Sequence, residues 1–174
     1  MSKLLQSTHS LEGLHIGQNN LSSESVASII TGLSHNNSLT KLDISNSHFS
    51  MANTLHLTSL LREHSKCTLT SLELQDCHIS GQSAGVLAPA LYKNSTLQFL
   101  DLDRNPISVE GASSMSDMLQ HNTLLIHLEM CDDSVGEEGV HQLMNSLKYN
   151  QTLERLWLPW KYKSETSDQR IRWS

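Results

Sequence analysis

Apolar residues recur along the chain in one short pattern, with leucine or a similar residue at its first, fourth, sixth and eleventh positions. The stretch LQFLDLDRNPI, residues 97–107, shows all four, whereas the last copy, LERLWLPWKY, is broken after the sixth. The copies begin at Leu11, Leu39, Leu69, Leu97, Leu125 and Leu153, so their spacing is 28, 30, 28, 28 and 28 residues. Alternation of apolar and polar residues predicts a short strand in each copy, and six copies at nearly fixed spacing predict a repeat architecture.

Helical spacing of apolar residues marks the segments between the copies. Four of these segments place apolar residues three or four positions apart: SVASIITGLSHNNSL, SAGVLAPALYKNSTL, GASSMSDMLQHNTLL and GVHQLMNSLKYNQTL. Ser22 or Ser23 can cap the first of these helices, and Glu110 and Glu137 place carboxylates at the positive ends of two others. Each segment then reaches an asparagine before the next strand, which predicts a short helix-to-strand turn.

The ninth position of the pattern lies where the backbone leaves each strand. It is occupied by Asn19, Ser47, Cys77, Asn105, Asp133 and Lys161. Asparagine can both donate to and accept from the unpaired backbone groups of such a turn. We therefore expect Asn105 to fix its turn, Ser47 and Cys77 to do part of that work, and Lys161 to mark the end of the repeats.

Each unit is thus a strand, a turn and a helix, and stacked units share one continuous core. The predicted fold class is α/β, a leucine-rich-repeat solenoid or horseshoe with parallel strands on the concave face and helices on the convex face. One domain is expected over residues 1–174, with about six 28-residue repeats. Residues 1–10 are expected to form a partial repeat and residues 161–174 a C-terminal cap, in which RIRWS alternates like a short edge strand.

Composition narrows the classes of partner. A net charge of −6 argues against nucleic acid and against an anionic membrane surface. No run of about 18 apolar residues is present, so no transmembrane helix is predicted. Three cysteines in no metal or redox spacing, and the lack of an apolar signal segment, predict a reducing, cytoplasmic setting.

No cofactor and no metal are predicted. Ten histidines are scattered, and the nearest group with a cysteine, His64 with Cys67, is better explained by solvated turn residues. Four Asn-x-Ser/Thr sequons begin at Asn20, Asn36, Asn94 and Asn150. Three of them follow from the repeated turn and are weak evidence for secretion. No nucleophile setting such as Gly-x-Ser-x-Gly is present, so the protein is not expected to be an enzyme.

With this period and these residues, the chain resembles the ribonuclease-inhibitor-like class of leucine-rich repeats over roughly residues 4–160. The stretches NPISVEGASSMSDMLQHNTLLIHLEM and DSVGEEGVHQLMNSLKYNQTLERLWL are most similar to the C-terminal repeats of NOD-like receptors. That resemblance implies a ligand-sensing role, as in innate immunity. The Gly-rich Lys motif of a nucleotide-binding module is not present, so no receptor ATPase module is expected beside the repeats. Residues 1–10 look like the tail of a preceding helix without a cap, so a fragment or a truncated array is expected.

Carboxylates occupy four of the six fifth positions of the pattern, which are expected to point into the concave face. The six residues there are His15, Asp43, Glu73, Asp101, Glu129 and Trp157, and neighbouring variable positions add Asp76, Asp103, Arg104 and Asp132. Four carboxylates placed one strand apart repel one another, and a basic partner would relieve that repulsion. The alternative is a solvated acidic face without a ligand, and a bound cation is disfavoured because an open column is not a closed oxygen cage.

All three tryptophans, at positions 157, 160 and 173, lie near the C-terminus beside lysines and arginines. They are either interface anchors, with Trp157 and Trp160 as candidates, or part of the cap that seals the last repeat. The sequence therefore predicts a non-catalytic module that binds a protein or peptide ligand, and the carboxylates favour a basic one. Two alternatives are a regulator of a small GTPase similar to the Ran GTPase-activating protein, which would need Arg104, and a tropomodulin-like actin-capping module.

Overall fold

The computed structural model describes residues 2–62, 65–164, 166 and 168–174. Seven strands follow one another along the described chain. They are β1 (Gly13–His15), β2 (Lys41–Asp43), β3 (Ser71–Glu73), β4 (Phe99–Asp101), β5 (His127–Glu129), β6 (Arg155–Leu158) and β7 (Ile171–Trp173). The first six lie in the six copies of the apolar pattern, and the seventh lies in RIRWS.

One helix precedes the first strand, and one helix follows each of the first five strands. The helices are α1 (Ser2–Ser7), α2 (Ser23–Leu33), α3 (Met51–Leu61), α4 (Gly81–Leu91), α5 (Ser108–His121) and α6 (Gly136–Ser146). Short 3₁₀ turns cover Asp133–Val135 and Trp160–Tyr162. The alternation of strand and helix confirms the α/β repeat predicted from the sequence.

Side chains at the helix starts explain where several helices begin. Ser22 caps α2 by accepting a hydrogen bond from the backbone N–H of Ser25, as its position predicted. Ser50 and Asn53 form a reciprocal capping box at the start of α3. Such caps satisfy amides that have no partner inside the helix and stabilise it by about 1 kcal/mol each.

All strands are parallel and lie in sequence order from β1 to β7. The register places the fourth-position leucines side by side, from Leu42 through Leu72, Leu100 and Leu128 to Leu156, and each is at most 1% exposed. Burying one such side chain contributes about 1.5–3 kcal/mol relative to its exposed state. The core therefore lies between the sheet and the helices, and it continues from one repeat into the next.

Buried asparagines fix the turns between helices and strands. Asn36, Asn94, Asn122 and Asn150 each accept a hydrogen bond of 2.7 Å from the backbone N–H three residues later. Each also donates to a backbone carbonyl of the preceding repeat, as Asn94 does to Leu61 at 2.7 Å. Because these side chains are buried and bonded on both sides, the three repeated sequons are structural features of the turn.

Asn105 performs the predicted role at the strand-to-helix turn. Its Oδ1 accepts from the backbone N–H groups of Cys77 and Ile79, both at 2.9 Å. Its Nδ2 donates to the carbonyls of Leu74, Leu102 and Asp103 at 2.8, 3.0 and 3.1 Å. At the equivalent position, the Cys77 thiol reaches only carbonyls. The buried hydroxyl of Ser47 has no partner among the described residues.

Arg170 holds the last strand against the preceding repeat. Its guanidinium donates to the carbonyls of Leu147 and Asn150, both at 2.7 Å, and pairs with Asp168 at 2.6 Å. β7 adds in parallel to β6, with Trp157 opposite Arg172. This segment covers the edge that β6 would otherwise present to solvent.

Among the described helices, none is long and apolar enough to cross a membrane. The three cysteines are free; Cys67 and Cys77 are buried and Cys131 is half-buried.

Candidate protein-binding face

The strands have one face in the core and one face away from it. Fourth- and sixth-position side chains from the second copy onward are buried, whereas those at the third, fifth and seventh positions are mostly half-buried or exposed. This follows from the two-residue period of a strand. We call the surface formed by the third, fifth and seventh positions the strand face.

The four fifth-position carboxylates stand in one row across the strand face. The register pairs Asp43 with Glu73, Glu73 with Asp101, and Asp101 with Glu129. Adjacent strands in a sheet lie about 4.8 Å apart, so each carboxylate has a like-charged neighbour at that spacing. We call Asp43, Glu73, Asp101 and Glu129 the acidic column.

His15 begins this row and Trp157 ends it. His15 pairs with Asp43, and Trp157 pairs with Glu129 and is half-buried. The predicted alignment of the six fifth-position residues is therefore present, with an acidic centre and an aromatic end.

Backbone amides hold three of the carboxylates in place. Asp43 Oδ1 accepts from the N–H of Ser45 at 2.9 Å, and Asp101 Oδ1 accepts from the N–H of Asp103 at 2.8 Å. Asp103, at the seventh position, accepts from the N–H of Cys131 on the next repeat at 2.7 Å. These bonds fix the direction of the carboxylates without neutralising them.

Gly17 allows the Asp43 carboxylate to lie where it does. A Cβ atom on residue 17 would be 2.5 Å from Asp43 Oδ1. Because that approach is shorter than any van der Waals contact, a larger residue at 17 would displace the carboxylate. The sequence pattern gave no indication of this role.

The centre of the acidic column resists ionisation. Burial, and then the charge of Asp43, raise the pKa of Glu73. Burial and the neighbouring carboxylates raise the pKa of Asp101 to about 6, although its bond from the N–H of Asp103 opposes the shift. Burial, followed by the charges of Asp101 and Asp103, raises the pKa of Glu129 to about 7. Negative charge is thus crowded on this face.

Asp101, Asp103 and Glu129 form the tightest group of acidic side chains on the strand face. One oxygen from each lies within 4.8 Å of the others. No Lys or Arg of the described chain forms an ion pair with this group. The arrangement favours positive charge, but three carboxylates on an open sheet face do not enclose a cation. His64, of the His64–Cys67 pair, lies outside the described residues.

Four other candidate contact residues lie in turns beyond the strands. Asp76 and Arg104 follow β3 and β4 with positive φ angles of 53° and 54°. Asp132 caps the 3₁₀ turn by accepting from the N–H of Ser134 at 2.9 Å. Trp160 is 59% exposed, with the Lys163 ammonium 4.0 Å from its ring centre. These eighth-position residues therefore border the strand face and are not part of its acidic column.

Third-position residues form a second row on the strand face that the candidate residues did not include. Lys41, Ser71, Phe99, His127 and Arg155 follow one another in register. The Phe99 and His127 rings meet edge to face, with centres 6.0 Å apart. The signal was available in the sequence, since the same two-residue alternation that exposes the fifth position also exposes the third.

Comparison with known proteins places the chain among repeat proteins. The family model described as the PRAME C-terminal domain matches residues 3–156. None of the curated protein sequences compared with the chain matches it.

Two solved structures share the fold at low sequence identity. The leiomodin-1 actin-binding site 2 (ABS2) has a TM-score of 0.73 at 18% identity and is covered over 86% of both chains. The tropomodulin C-terminal domain of Caenorhabditis elegans has a TM-score of 0.68 at 14% identity, over 86% of this chain and 90% of that one. These likenesses support a leucine-rich-repeat-type fold, but none supports the NOD-like receptor resemblance in particular.

Proposed function

The chain belongs to the PRAME C-terminal domain family, and we propose that it is a non-catalytic protein-binding module whose strand face docks a basic segment of a partner. The observation that carries this proposal is the acidic column, in which four carboxylates stand in register with no described Lys or Arg paired to them. Curvature of the stacked repeats into a horseshoe would make the strand face concave. The free cysteines are consistent with a cytoplasmic setting.

Electrostatics explain why a basic partner is favoured. A pair of like charges about 5 Å apart costs on the order of 0.8 kcal/mol in water, and more where the groups are partly desolvated. A lysine or arginine placed beside two such carboxylates replaces repulsion by attraction and speeds association. The partly buried positions of Glu73, Asp101 and Glu129 make that gain larger than on a fully hydrated surface.

Charge reversal on the strand face tests the proposal. A fluorescently labelled decalysine peptide serves as the probe, and its affinity is measured by anisotropy at pH 8 and constant ionic strength. Glu73→Lys combined with Asp101→Lys is expected to weaken binding at least about tenfold, because two favourable charge pairs become repulsive.

A matched control separates docking on the strand face from a general effect of net charge. Glu137 and Glu138 are exposed in the first turn of α6, and reversing both changes the net charge by the same amount. The proposal requires this control to bind decalysine within about threefold of the wild type. Equal weakening in both double variants would contradict it.

Actin is the specific partner that the structural likeness favours for a first test, through the leiomodin-1 actin-binding site 2. Co-sedimentation with actin filaments, and native gel shifts with monomeric actin, examine this directly. Binding that the Glu73→Lys/Asp101→Lys variant loses would place actin on the strand face, whereas absence of binding in both assays would remove actin as the partner.

The remaining functional alternatives stay predictions. Regulation of a small GTPase would use Arg104, which is exposed in the turn after β4. A GTP hydrolysis assay with and without Arg104→Ala tests that role. Ligand sensing of the NOD-like receptor kind has no feature in its favour beyond the general repeat fold.

A further inference from the structure

The three crowded carboxylates of the strand face differ in the hydrogen bonds they accept. Asp101 and Asp103 each accept a backbone N–H, at 2.8 and 2.7 Å. A carboxylate that accepts such a bond is stabilised in its ionised form. Glu129, whose oxygen lies within 4.8 Å of both, accepts no hydrogen bond from the described residues. Glu129 is therefore where a proton is held most readily.

The groups around Glu129 leave its charge uncompensated. The titratable and charged residues on this part of the strand face are Asp43, Glu73, Asp101, Asp103, His127, Cys131, Arg155 and Arg172. The two arginines form no ion pair with Glu129, and Arg172 instead donates to the carbonyls of Gln169 and Ile171. Protonation of Glu129 removes one of three neighbouring negative charges, which relieves the repulsion among the three groups.

We propose that Asp101, Asp103 and Glu129 share one proton near neutral pH, and that docking of a cationic segment on the strand face expels it. The carboxyl O–H of Glu129 breaks, the proton goes to solvent, and the resulting carboxylate pairs with an ammonium or guanidinium group of the partner. Partner binding is then coupled to pH and weakens as the solution becomes more acidic. This inference rests on the proposed docking of a basic partner.

The size of the coupling follows from the Glu129 pKa of about 7. If only the ionised form pairs with the partner, the apparent affinity is proportional to the ionised fraction. That fraction falls from about 0.9 at pH 8 to about 0.1 at pH 6 for a single group of this pKa. The affinity is therefore expected to drop about tenfold over this range.

Decalysine affinity at pH 6, 7 and 8, at constant ionic strength, tests the coupling. Lysine side chains stay charged throughout this range, so the pH dependence belongs to the protein. Wild type is expected to lose about tenfold in affinity from pH 8 to pH 6. Glu129→Gln, which imitates the protonated carboxyl, is expected to bind weakly at every pH and to lose less than about threefold, the remainder coming from Asp101, whose pKa is about 6.

Glu154→Gln is the matched control, because Glu154 is exposed and lies at the second position of its copy, before β6. It makes the same change of charge and is expected to retain the tenfold loss. A wild-type affinity that is constant from pH 6 to pH 8 would overturn the coupling, as would a full pH dependence in Glu129→Gln.

Carbon-13 NMR titration of the glutamate carboxyl groups in the free protein separates this inference from the proposed function. A Glu129 midpoint near 7 supports the shared proton even if decalysine does not bind, in which case docking and expulsion both fail. A midpoint near the ordinary glutamate value of about 4.3 overturns the shared proton even if decalysine binds tightly.

Discussion

Asn105 offers the most direct test of how the repeats are held together. Its side chain is fully buried and makes five hydrogen bonds, two accepted from backbone amides of the preceding repeat and three donated to carbonyls. Asn105→Ala removes all five and leaves the amides of Cys77 and Ile79 without an acceptor in the core. Each buried group left unpaired costs about 1–3 kcal/mol.

The expected loss in the free energy of unfolding is about 3–5 kcal/mol, because the two amides carry most of the penalty and the carbonyls the remainder. In a chain of this length, 1 kcal/mol corresponds to roughly 2–4 °C in Tm, so the midpoint should fall by about 6–20 °C. Urea unfolding followed by circular dichroism at 222 nm measures the free energy, and a thermal scan measures Tm.

Asn19 supplies the comparison, since it holds the same pattern position in the first copy. It is exposed and donates only to the carbonyls of Ile16 and Gly17, both at 3.0 Å. Asn19→Ala is therefore expected to cost less than about 1 kcal/mol. The reasoning is refuted if Asn105→Ala costs no more than Asn19→Ala, because pattern position and not burial would then set the energy.

Two further predictions concern the C-terminal segment and the pH dependence of stability. Arg170→Ala should lower the free energy of unfolding by about 2 kcal/mol, because two charge-assisted hydrogen bonds to the carbonyls of Leu147 and Asn150 are lost. Arg172→Ala is the control, since the Arg172 side chain bonds only within its own segment. In the same urea experiment, Arg172→Ala should cost less. The raised pKa of Glu129 means that the folded state binds more protons than the unfolded state between about pH 4.5 and pH 7. The contribution of Glu129 to stability is therefore present in acid and lost as pH rises through 7. Glu129→Gln should accordingly stabilise the protein at pH 8 more than at pH 5. An equal effect at both pH values would contradict the raised pKa.

The sequence predicted the strands well because each is defined by a repeated pattern and not by local preference alone. The sequence of a three-residue strand such as β4 is too short to identify a strand by itself. Six aligned copies indicate its register as well as its existence, since equal spacing places equal positions side by side. The interval of 30 residues did not disturb this register: Lys41 still pairs with Ser71, so the extra two residues are accommodated outside the strands.

The helix of the second unit, α3, has a weak apolar period in the sequence for a physical reason. α3 turns Asn53, Thr54 and Thr58 inward, and all three are buried. Its inner face is therefore partly polar, which weakens the apolar period that identifies a helix. Hydrogen bonds replace the missing apolar contacts: Asn53 serves the capping box and donates to the carbonyl of Ser23 on the preceding helix at 3.2 Å. Satisfying a buried amide in this way requires a three-dimensional neighbour, which no single segment reveals.

On the strand face, sequence spacing predicted which residues align, but it did not predict how their contacts differ. Spacing alone aligned Asp101 with Glu129, and both were candidates for the same reason. The structure makes them unequal, because Asp101 accepts the N–H of Asp103 whereas Glu129 accepts no bond from the described residues. A partner that only neutralises charge would treat the two alike. If binding releases the Glu129 proton, the loss of affinity from pH 8 to pH 6 depends on Glu129. Glu129→Gln should therefore remove more of that loss than Asp101→Asn does.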